Sequence, residues 1–399
     1  MKTIRMKHNH WTNYLILSLV LLCFFFFFQF SKNSFAQGSL QQLWQKELNS
    51  SISSHTVSSN GKFVAIGDQD GFVHVYNQDG AEYFSHQFQF PILDLAFAFD
   101  ETSLYVRCYS VYCIDLTEQR IVWEKYYQPD QFYIEDFWVF QDGKIGYLAS
   151  SLGELQRYYF LSNSDGVTIE EPKSLPNTHV RYRITPSPDG KLLIWTTEEG
   201  SIECMSYYGF VHWNKQVSFS NQTSSDSYPF LQDINNNGDV CIYFSQNTEE
   251  SPLHTILMIN LDGVILWERA MKDPVKTLSF SHHKDSVLIG TSKLAQLYDL
   301  SGNMLQENKI FGYRVENAQV FYSHLLIQFQ PNSEIRPSFF QKGIVELNWM
   351  DNVIWRKHTI ENSRTGFSLA DNGYVIIEVC YPKKFSFYKF HFNNTQRKV

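Results

Sequence analysis

From about residue 40 onward, apolar and polar positions alternate in short runs, and most runs are closed by a glycine-bearing turn. Alternation of period two over a few residues is the mark of a β-strand with one face buried. The same internal order recurs along the chain. A short apolar strand leads to a tight turn at SSNGK (58–62), SPDGK (187–191), NNNGD (235–239) or ADNGY (370–374). A second strand follows, as in FVAIG, LLIWT, VCIYF or YVIIE, and then a third, as in FVHVYN, ILMINL or AQLYDL. A second turn, QDG, LDG or LSG, leads into a fourth strand. Asn-Gly and Asp-Gly supply the positive φ that such turns need. No segment beyond the N-terminal region carries a long helical period.

The fourth strand is marked by Trp-x-Lys/Arg, with tryptophan at Trp44, Trp123, Trp213, Trp267 and Trp355. Degenerate copies fill the gaps at AEYFSHQF around Phe84, TIEEPKS around Glu170 and NMLQENKI around Gln306. Four short strands per unit of roughly forty residues is the repeat of a propeller blade. The last unit, from about Thr365 to Phe392, has three strands and lacks a Trp-bearing fourth, whereas LQQLWQKEL (40–48) lacks three strands before it. Placing the N-terminal strand on the last unit completes a blade and closes a ring, which removes exposed sheet edges. The expectation is an all-β, single β-propeller of eight four-stranded blades over residues 37–399. Seven is the alternative, because the unit at 134–175 is weakly patterned.

The first 36 residues read differently. Lys2, Arg5 and Lys7 precede an apolar run from Tyr14 to Phe30, and Ser34 and Ala36 are small residues placed for cleavage before Gln37. That three-part pattern is a secretory signal peptide. The alternative is an uncleaved anchor, the run lying near the lower length limit for spanning a bilayer. Cys23 lies within the run, followed by five phenylalanines, and is not placed as a lipoprotein cysteine.

Composition narrows the function classes. Charged residues are 19%, aromatic residues 16%, and the formal net charge is -8. This balance argues against disorder, coiled coil and binding to a phosphate backbone. Removing residues 1–36 takes away Lys2, Arg5, Lys7 and Lys32 and no acid, so an exported form is more acidic still. No nucleic-acid partner is expected, and membrane contact only through the N-terminal segment if it is uncleaved.

Segments INLDGVILWER (259–269) and YNQDGAEYF (76–84) resemble the outer-strand motif of pyrroloquinoline-quinone repeats, and LSFSHHKDSVLIGTSKLAQLYDLSG (278–302) resembles a WD repeat with Tyr298-Asp299 in place of Trp-Asp. The resemblance covers nearly all of the chain after the leader. It implies tryptophans docked between neighbouring blades, so Trp44, Trp123, Trp213, Trp267 and Trp355 are structural candidates, with the following Lys or Arg expected to reach solvent. It also implies a setting in the cell envelope, where similar propellers are scaffolds, although the lipid anchor usual for them is missing. Quinone enzymes of this kind hold their cofactor with adjacent cysteines and calcium carboxylates. No Cys-Cys dipeptide occurs here, and no cofactor is expected.

Other candidate chemistry is thin. Asp233-Ile234-Asn235-Asn236-Asn237-Gly238 matches the first half of a calcium loop, yet Cys241 and Phe244 stand where acids are needed, and the segment aligns with the first turns of other units. His282 and His283 fall at the same turn position, where adjacent side chains point apart. Sialidase boxes, a nucleophile elbow and a phosphate loop are absent from the sequence. Cys108 and Cys113 would face one another across a two-residue turn at Ser110-Val111. The two either form a disulfide or remain as two reduced, buried thiols. Three Asn-x-Ser/Thr sites, at Asn49, Asn221 and Asn393, matter only in a eukaryotic secretory pathway.

Aromatic residues crowd the loops between units: Phe90, Tyr126, Tyr127, Phe132, Tyr133, Tyr228, Phe230, Phe311 and Tyr313. The longest loop, 330–343, adds Ile335, Phe339 and Phe340. Aromatic anchors are what protein interfaces favour, and packing over the central channel is the competing use. The expectation is a non-catalytic exported scaffold binding a protein partner, with Ile335, Phe339, Phe340, Tyr126, Tyr127, Phe311 and Tyr313 as contact candidates. The alternative is an enzyme or small-ligand binder that uses the channel.

Overall fold

The computed structural model describes residues 39–125, 132–140, 142–151, 157–174, 182–197, 201–206, 210–216, 231–247, 252–281, 285–291, 293–309, 313–321, 324–331, 343–348, 353–358, 365–370, 375–380 and 383–391. Every regular element among them is a strand. The first is β1 (Ser39–Glu47). It precedes β2–β5 (Ile52–Val57, Phe63–Asp68, Phe72–Asn77, Glu82–Gln87) and β6–β9 (Asp94–Phe97, Ser103–Arg107, Val111–Asp115, Arg120–Lys125). Then come β10–β13 (Phe132–Val139, Ile145–Ser151, Arg157–Ser162, Thr168–Ser174) and β14–β17 (Tyr182–Pro186, Leu192–Thr197, Ser201–Ser206, Val211–Gln216). Next are β18–β21 (Leu231–Ile234, Val240–Asn247, Pro252–Ile259, Ile265–Met271) and β22–β25 (Val275–Phe280, Ser286–Thr291, Leu294–Asp299, Met304–Lys309). The remainder are β26–β29 (Tyr313–Phe321, His324–Pro331, Gly343–Asn348, Val353–His358) and β30–β32 (Thr365–Leu369, Val375–Cys380, Lys384–His391).

Each consecutive set of four pairs in chain order as one four-stranded sheet, and the remaining sheet runs β1-β32-β31-β30. The weakly patterned stretch near 134–175 forms the sheet β10-β11-β12-β13, with full antiparallel ladders from Phe132↔Ser151 to Tyr158↔Ser174. Each recurring sequence motif lands on the same element of its sheet. Trp44, Phe84, Trp123, Glu170, Trp213, Trp267, Gln306 and Trp355 all lie on the edge strand β1, β5, β9, β13, β17, β21, β25 or β29.

The turns fold as their glycines require. Gly61, Gly190 and Gly238 hold φ of 72°, 72° and 82° in the first turns. Gly80, Gly263 and Gly302 hold 78°, 77° and 84° in the second turns. An L side chain avoids that region and glycine does not.

Inner strands are buried on both faces, and period two divides their side chains between two neighbours. In β7, Leu104 and Val106 join a cluster with Phe63, Ala65, Val73 and Val75 of the preceding sheet. Tyr105, between them, joins Ile145, Tyr147 and Phe160 of the following sheet. Val64 and Ile66 of β3 likewise pack with Phe385 and Phe387 of β32, against which Trp44 and Leu48 lie. First strands touch their counterparts: β2 lies against β6 and β30, and β18 against β14 and β22. Leu40–His391 make one compact unit.

The turn after β7 departs from the sequence expectation. Arg107 pairs with Val111 and Tyr105 with Cys113, so Cys108, Tyr109 and Ser110 form a three-residue loop. Cys108 Nα donates to the Ser110 carbonyl at 3.0 Å. The odd slip turns the two cysteines to opposite faces. Cys108 packs in the cluster shared with Phe88 and Ile92, Cys113 in the one shared with Tyr105 and Tyr147, and both thiols are free. No disulfide joins Cys108 to Cys113.

Candidate functional site

In an antiparallel meander of four strands, the start of the first strand, the second turn-around and the end of the fourth lie at one end of the sheet. The crossovers between sheets therefore gather at that end, where Phe90, Tyr109 and Tyr133 are exposed; Phe99 and Phe210 are exposed in turns at the opposite end. The crossover 88–93 is held from beneath. Phe88 Nα donates to the Gly71 carbonyl at 2.8 Å and Ile92 Nα to the Asp68 carbonyl at 3.0 Å. Ser53 Oγ donates to the Ile92 carbonyl at 2.5 Å. A side chain at Gly67 would run into Ile92, and one at Gly71 into the carbonyls of Phe88 and Phe90. The buried Asp68 accepts from Asp70 Nα at 3.0 Å and Phe72 Nα at 2.8 Å, fixing the turn on which this crossover rests.

Phe88 and Ile92 point inward, so Phe90 and Leu93 point outward, 41% and 52% exposed. Leu93 Nα donates to the Arg107 carbonyl at 2.8 Å, which sets the crossover beside the 108–110 loop. Tyr109 in that loop is 40% exposed, and its ring centroid lies 5.2 Å from that of Phe90. Two aromatic rings and a leucine thus stand together in solvent, each on a backbone clamped by hydrogen bonds.

Carboxylates stand on the first strands that follow. Asp94 of β6 accepts from Leu95 Nα at 2.8 Å, and Asp136 of β10 accepts from Phe137 Nα at 2.9 Å, the same geometry in consecutive sheets. Glu135 accepts from the hydroxyls of Ser150 and, at 3.1 Å, Tyr133, itself an exposed residue. Arg107 lies opposite Asp94 in register. Burial pushes the Asp94 and Asp136 carboxyls above the usual carboxylate range, and the charge of Arg107 opposes that rise in both. Among the described residues no ion pair joins Arg107 to either, and its Nε is buried without a hydrogen-bond partner.

Sequence reasoning found Phe90 and Tyr133 but missed Leu93, Tyr109 and the charged group. The repeat of aspartate at one place in β6 and β10 was the available signal. Of the contact candidates, Ile335, Phe339, Phe340, Tyr126, Tyr127 and Phe311 lie outside the described residues, and Tyr313 is placed only as the first residue of β26.

The edge-strand tryptophans make a different kind of contact, with the second turn of the next sheet. The indole Nε1 of Trp44 donates to the Gln78 carbonyl at 2.8 Å, that of Trp123 to Ser164 at 2.9 Å and that of Trp267 to Leu300 at 3.0 Å. In each case the ring covers the turn glycine, Gly80, Gly166 or Gly302. Trp213 covers Gly263 in the same way. Trp355 is placed on β29. In three of these strands the following cation does not run free into solvent, as had been expected. Lys125 Nζ donates to the Gly166 carbonyl at 3.0 Å and to Thr168 Oγ1 at 2.5 Å, Arg269 Nη2 donates to the Gly302 carbonyl at 3.0 Å, and Lys46 Nζ stands 4.8 Å from the Tyr76 ring centroid. A carbonyl at the end of the glycine turn is an open acceptor, and a cation two residues beyond the tryptophan reaches it.

Two sequence candidates for metal chemistry resolve into structure or fall outside it. Asn235 Oδ1 accepts from Asn237 and Asp239 backbone amides at 2.9 Å each, and Asp233 takes Ile234 Nα and Phe280 Nα. The Asp233 and Asn235 oxygens that a cation would need are thus turned to backbone donors. His282 and His283 lie outside the described residues.

Comparison with solved structures bears on the fold. The C-terminal WD40 domain of Sif2 superposes with a TM-score of 0.64 at 10% identity, over 88% of this chain and 98% of that one. The fold is a WD-repeat-like β-propeller. The Myceliophteria thermophila Cps50 (Swd1) β-propeller domain matches with a TM-score of 0.53 at 8% identity, over 88% of this chain and 99% of that one. The computationally designed Ika8 protein matches at 0.58 and 11%, over 88% and 99%. No sequence-family model matches this propeller, and no curated protein does. The quinoprotein side of the sequence resemblance gains nothing from these neighbours. Each four-stranded sheet is a blade, and the Trp-x-Lys/Arg strand of one blade grips the glycine turn of the next.

Proposed function

We propose that the chain is an exported, non-catalytic scaffold that binds a protein partner through the face where its crossovers gather. The observation that carries this reading is the solvent-facing set Phe90, Leu93 and Tyr109 on clamped backbone. Exposed aromatic side chains held rigid bind with little further loss of conformational freedom, which is what interface anchors require. The loop candidates Ile335, Phe339, Phe340, Tyr126, Tyr127, Phe311 and Tyr313 extend the surface in this proposal. The architecture proposed is a ring of eight blades, closed by β1 on the last blade. Supporting closure, Leu48 Nα donates to the Lys383 carbonyl at 2.9 Å, the Trp44 ring stacks on Phe387 at 5.0 Å, and His55 Nδ1 meets Ser368 Oγ at 2.8 Å. Residues 1–36 are proposed as a signal cleaved before Gln37, with retention as an anchor the other outcome of a test by N-terminal sequencing of the exported protein.

The partner reading is tested by cross-linking in the native host, comparing the natural chain with Phe90→Ala/Tyr109→Ala and with Phe339→Ala/Phe340→Ala. Loss of the same cross-linked partner in the first variant supports the reading. If both variants keep every partner, the crossover face is not the binding surface.

A further inference from the structure

Among the described residues no cation pairs with Asp94 or Asp136, and this bears on what the patch receives. Asp94 and Asp136 lie on the first strands of consecutive blades, Asp94 directly after Leu93 and opposite Arg107 in register, and the charge of Arg107 bears on both. Asp70, at the exposed turn beneath the 88–93 crossover, adds a further negative charge. The protein's answer is Arg107, which forms no ion pair with Asp94 or Asp136 among the described residues. Half-buried carboxylates without a paired cation carry an unrelieved desolvation cost, and an incoming cation relieves it. The same cation gains a second attraction from the faces of Phe90 and Tyr109, since aromatic rings draw cations to their faces. The whole chain, at a net charge of -8, draws a basic partner toward this surface and repels an acidic one.

We propose that this corner receives a segment of a partner protein in which an aliphatic or aromatic anchor is flanked by arginine or lysine, the anchor seating on Phe90, Leu93 and Tyr109 and the cation meeting Asp94 and Asp136. The inference rests on the protein-binding reading above and specifies the partner's chemistry. Arginine fits better than lysine. Its planar fork reaches two carboxylates at once and stacks on a ring.

The test uses the full chain and a displayed library of random dodecapeptides, selected at low and at high salt. Selected peptides are then rebound to Phe90→Ala/Tyr109→Ala and to Asp94→Asn/Asp136→Asn, the asparagines keeping the Oδ1 that caps Leu95 and Phe137. Both variants are first shown to keep the melting temperature of the parent, their changed side chains being exposed or isosteric. The expected result is enrichment of peptides carrying Arg or Lys beside an apolar residue. Binding falls about tenfold or more in each variant and weakens with salt. Enriched peptides that are neutral or acidic, or a basic set that binds the Asp94→Asn/Asp136→Asn variant undiminished, would overturn the proposal, as would a selection that yields nothing. If such a result accompanies loss of the host partner in Phe90→Ala/Tyr109→Ala, the protein-binding reading stands and only the basic chemistry is wrong. If Phe90→Ala/Tyr109→Ala and Phe339→Ala/Phe340→Ala both keep every host partner, the two readings fall together.

Discussion

Replacing Gly302 by alanine tests whether the Trp-x-Lys/Arg strand holds one blade to the next. Gly302 has φ of 84°, and a Cβ there would stand 2.8 Å from Cγ of Trp267. The contact is with the base of the indole, so the whole ring must move. Alanine in the left-handed region costs about 1–2 kcal/mol in backbone strain alone. Moving the ring also disturbs the Trp267 Nε1 bond to Leu300 and the Arg269 bond to Gly302, each 3.0 Å. These are worth about 1 kcal/mol for the neutral bond and about 1.5–3 for the charged one. The total for Gly302→Ala is therefore about 3–5 kcal/mol if most of both bonds is lost. Gly143 is the control. Its φ is 80°, but the nearest atom to an added Cβ is 4.0 Å away, so Gly143→Ala carries the strain without the collision. The assay is urea denaturation followed by far-UV circular dichroism, with Trp267→Ala combined with Gly302→Ala to close a double-mutant cycle. In the Trp267→Ala background, Gly302→Ala should shrink to the cost of Gly143→Ala. Equal costs for Gly302→Ala and Gly143→Ala in the natural background, or strict additivity in the cycle, would refute the docking account.

Three further outcomes follow from buried groups. His55 is half-buried, and desolvation lowers its pKa from 6.5 to about 4. Its contribution is therefore whole above pH 6.5 and is lost as pH falls toward 4, about 3 kcal/mol at most. His55→Asn should flatten that part of the stability–pH curve, and an unchanged acid limb would show that His55 does not tie the first blade to the last through Ser368. The raised Asp94 and Asp136 act with the opposite sign, favouring the fold at low pH, so the variant comparison is needed to isolate the histidine. Burial pushes the Cys113 thiol up to about 11 and the Cys204 thiol up to about 12, so iodoacetamide at neutral pH should label neither until urea unfolds the chain. A chymotryptic digest of the urea-unfolded, alkylated chain, cut after Tyr109 or Tyr112 and mapped without reductant, should recover Cys108 and Cys113 as separate alkylated peptides; a linked pair would contradict the register at β7–β8. Gly67→Ala should lower stability by about 1–3 kcal/mol by driving Ile92 out of its pocket, and should also weaken partner binding because Phe90 moves with it. Lower stability with intact binding would separate the crossover from the site.

The repeat was legible because it rests on short-range chemistry. Asn-Gly and Asp-Gly turns demand positive φ wherever they occur, and the alternation of FVAIG or VCIYF survives without any knowledge of neighbours. Even copies without tryptophan, at Phe84, Glu170 and Gln306, fell on edge strands, since spacing and turns fixed their place. The turn at Cys108–Ser110 lacked such a marker. Cys-Tyr-Ser holds neither glycine nor asparagine, two- and three-residue loops fit the local sequence equally, and the choice of three turned both cysteines to opposite clusters. The destination of Lys125 and Arg269 was hidden for another reason. Their acceptors, Gly166 and Gly302, lie on the next blade, and no local pattern announces a carbonyl left open there.

The same division explains why the blade contacts and the candidate site differ so much in how they are encoded. A docking contact is repeated, so one degenerate copy is read through the others: Trp213 covers Gly263 as Trp267 covers Gly302. The crossover face is built once. Phe90 is exposed because Phe88 and Ile92 on either side are buried, and they are buried because Gly67 and Gly71 leave room for them. Tyr109 meets Phe90 because an irregular loop carries it there. Four residues from three elements are required before two rings stand together, and of these only Gly67 falls within a repeated strand. A propeller thus separates its two tasks physically. Residues shared by all blades close sheet on sheet, and residues that break the pattern at the crossover end are free to choose a partner. A variant that improves a glycine turn should accordingly change stability and leave partner choice alone, while one that alters the 88–93 crossover without touching Ile92 should do the reverse.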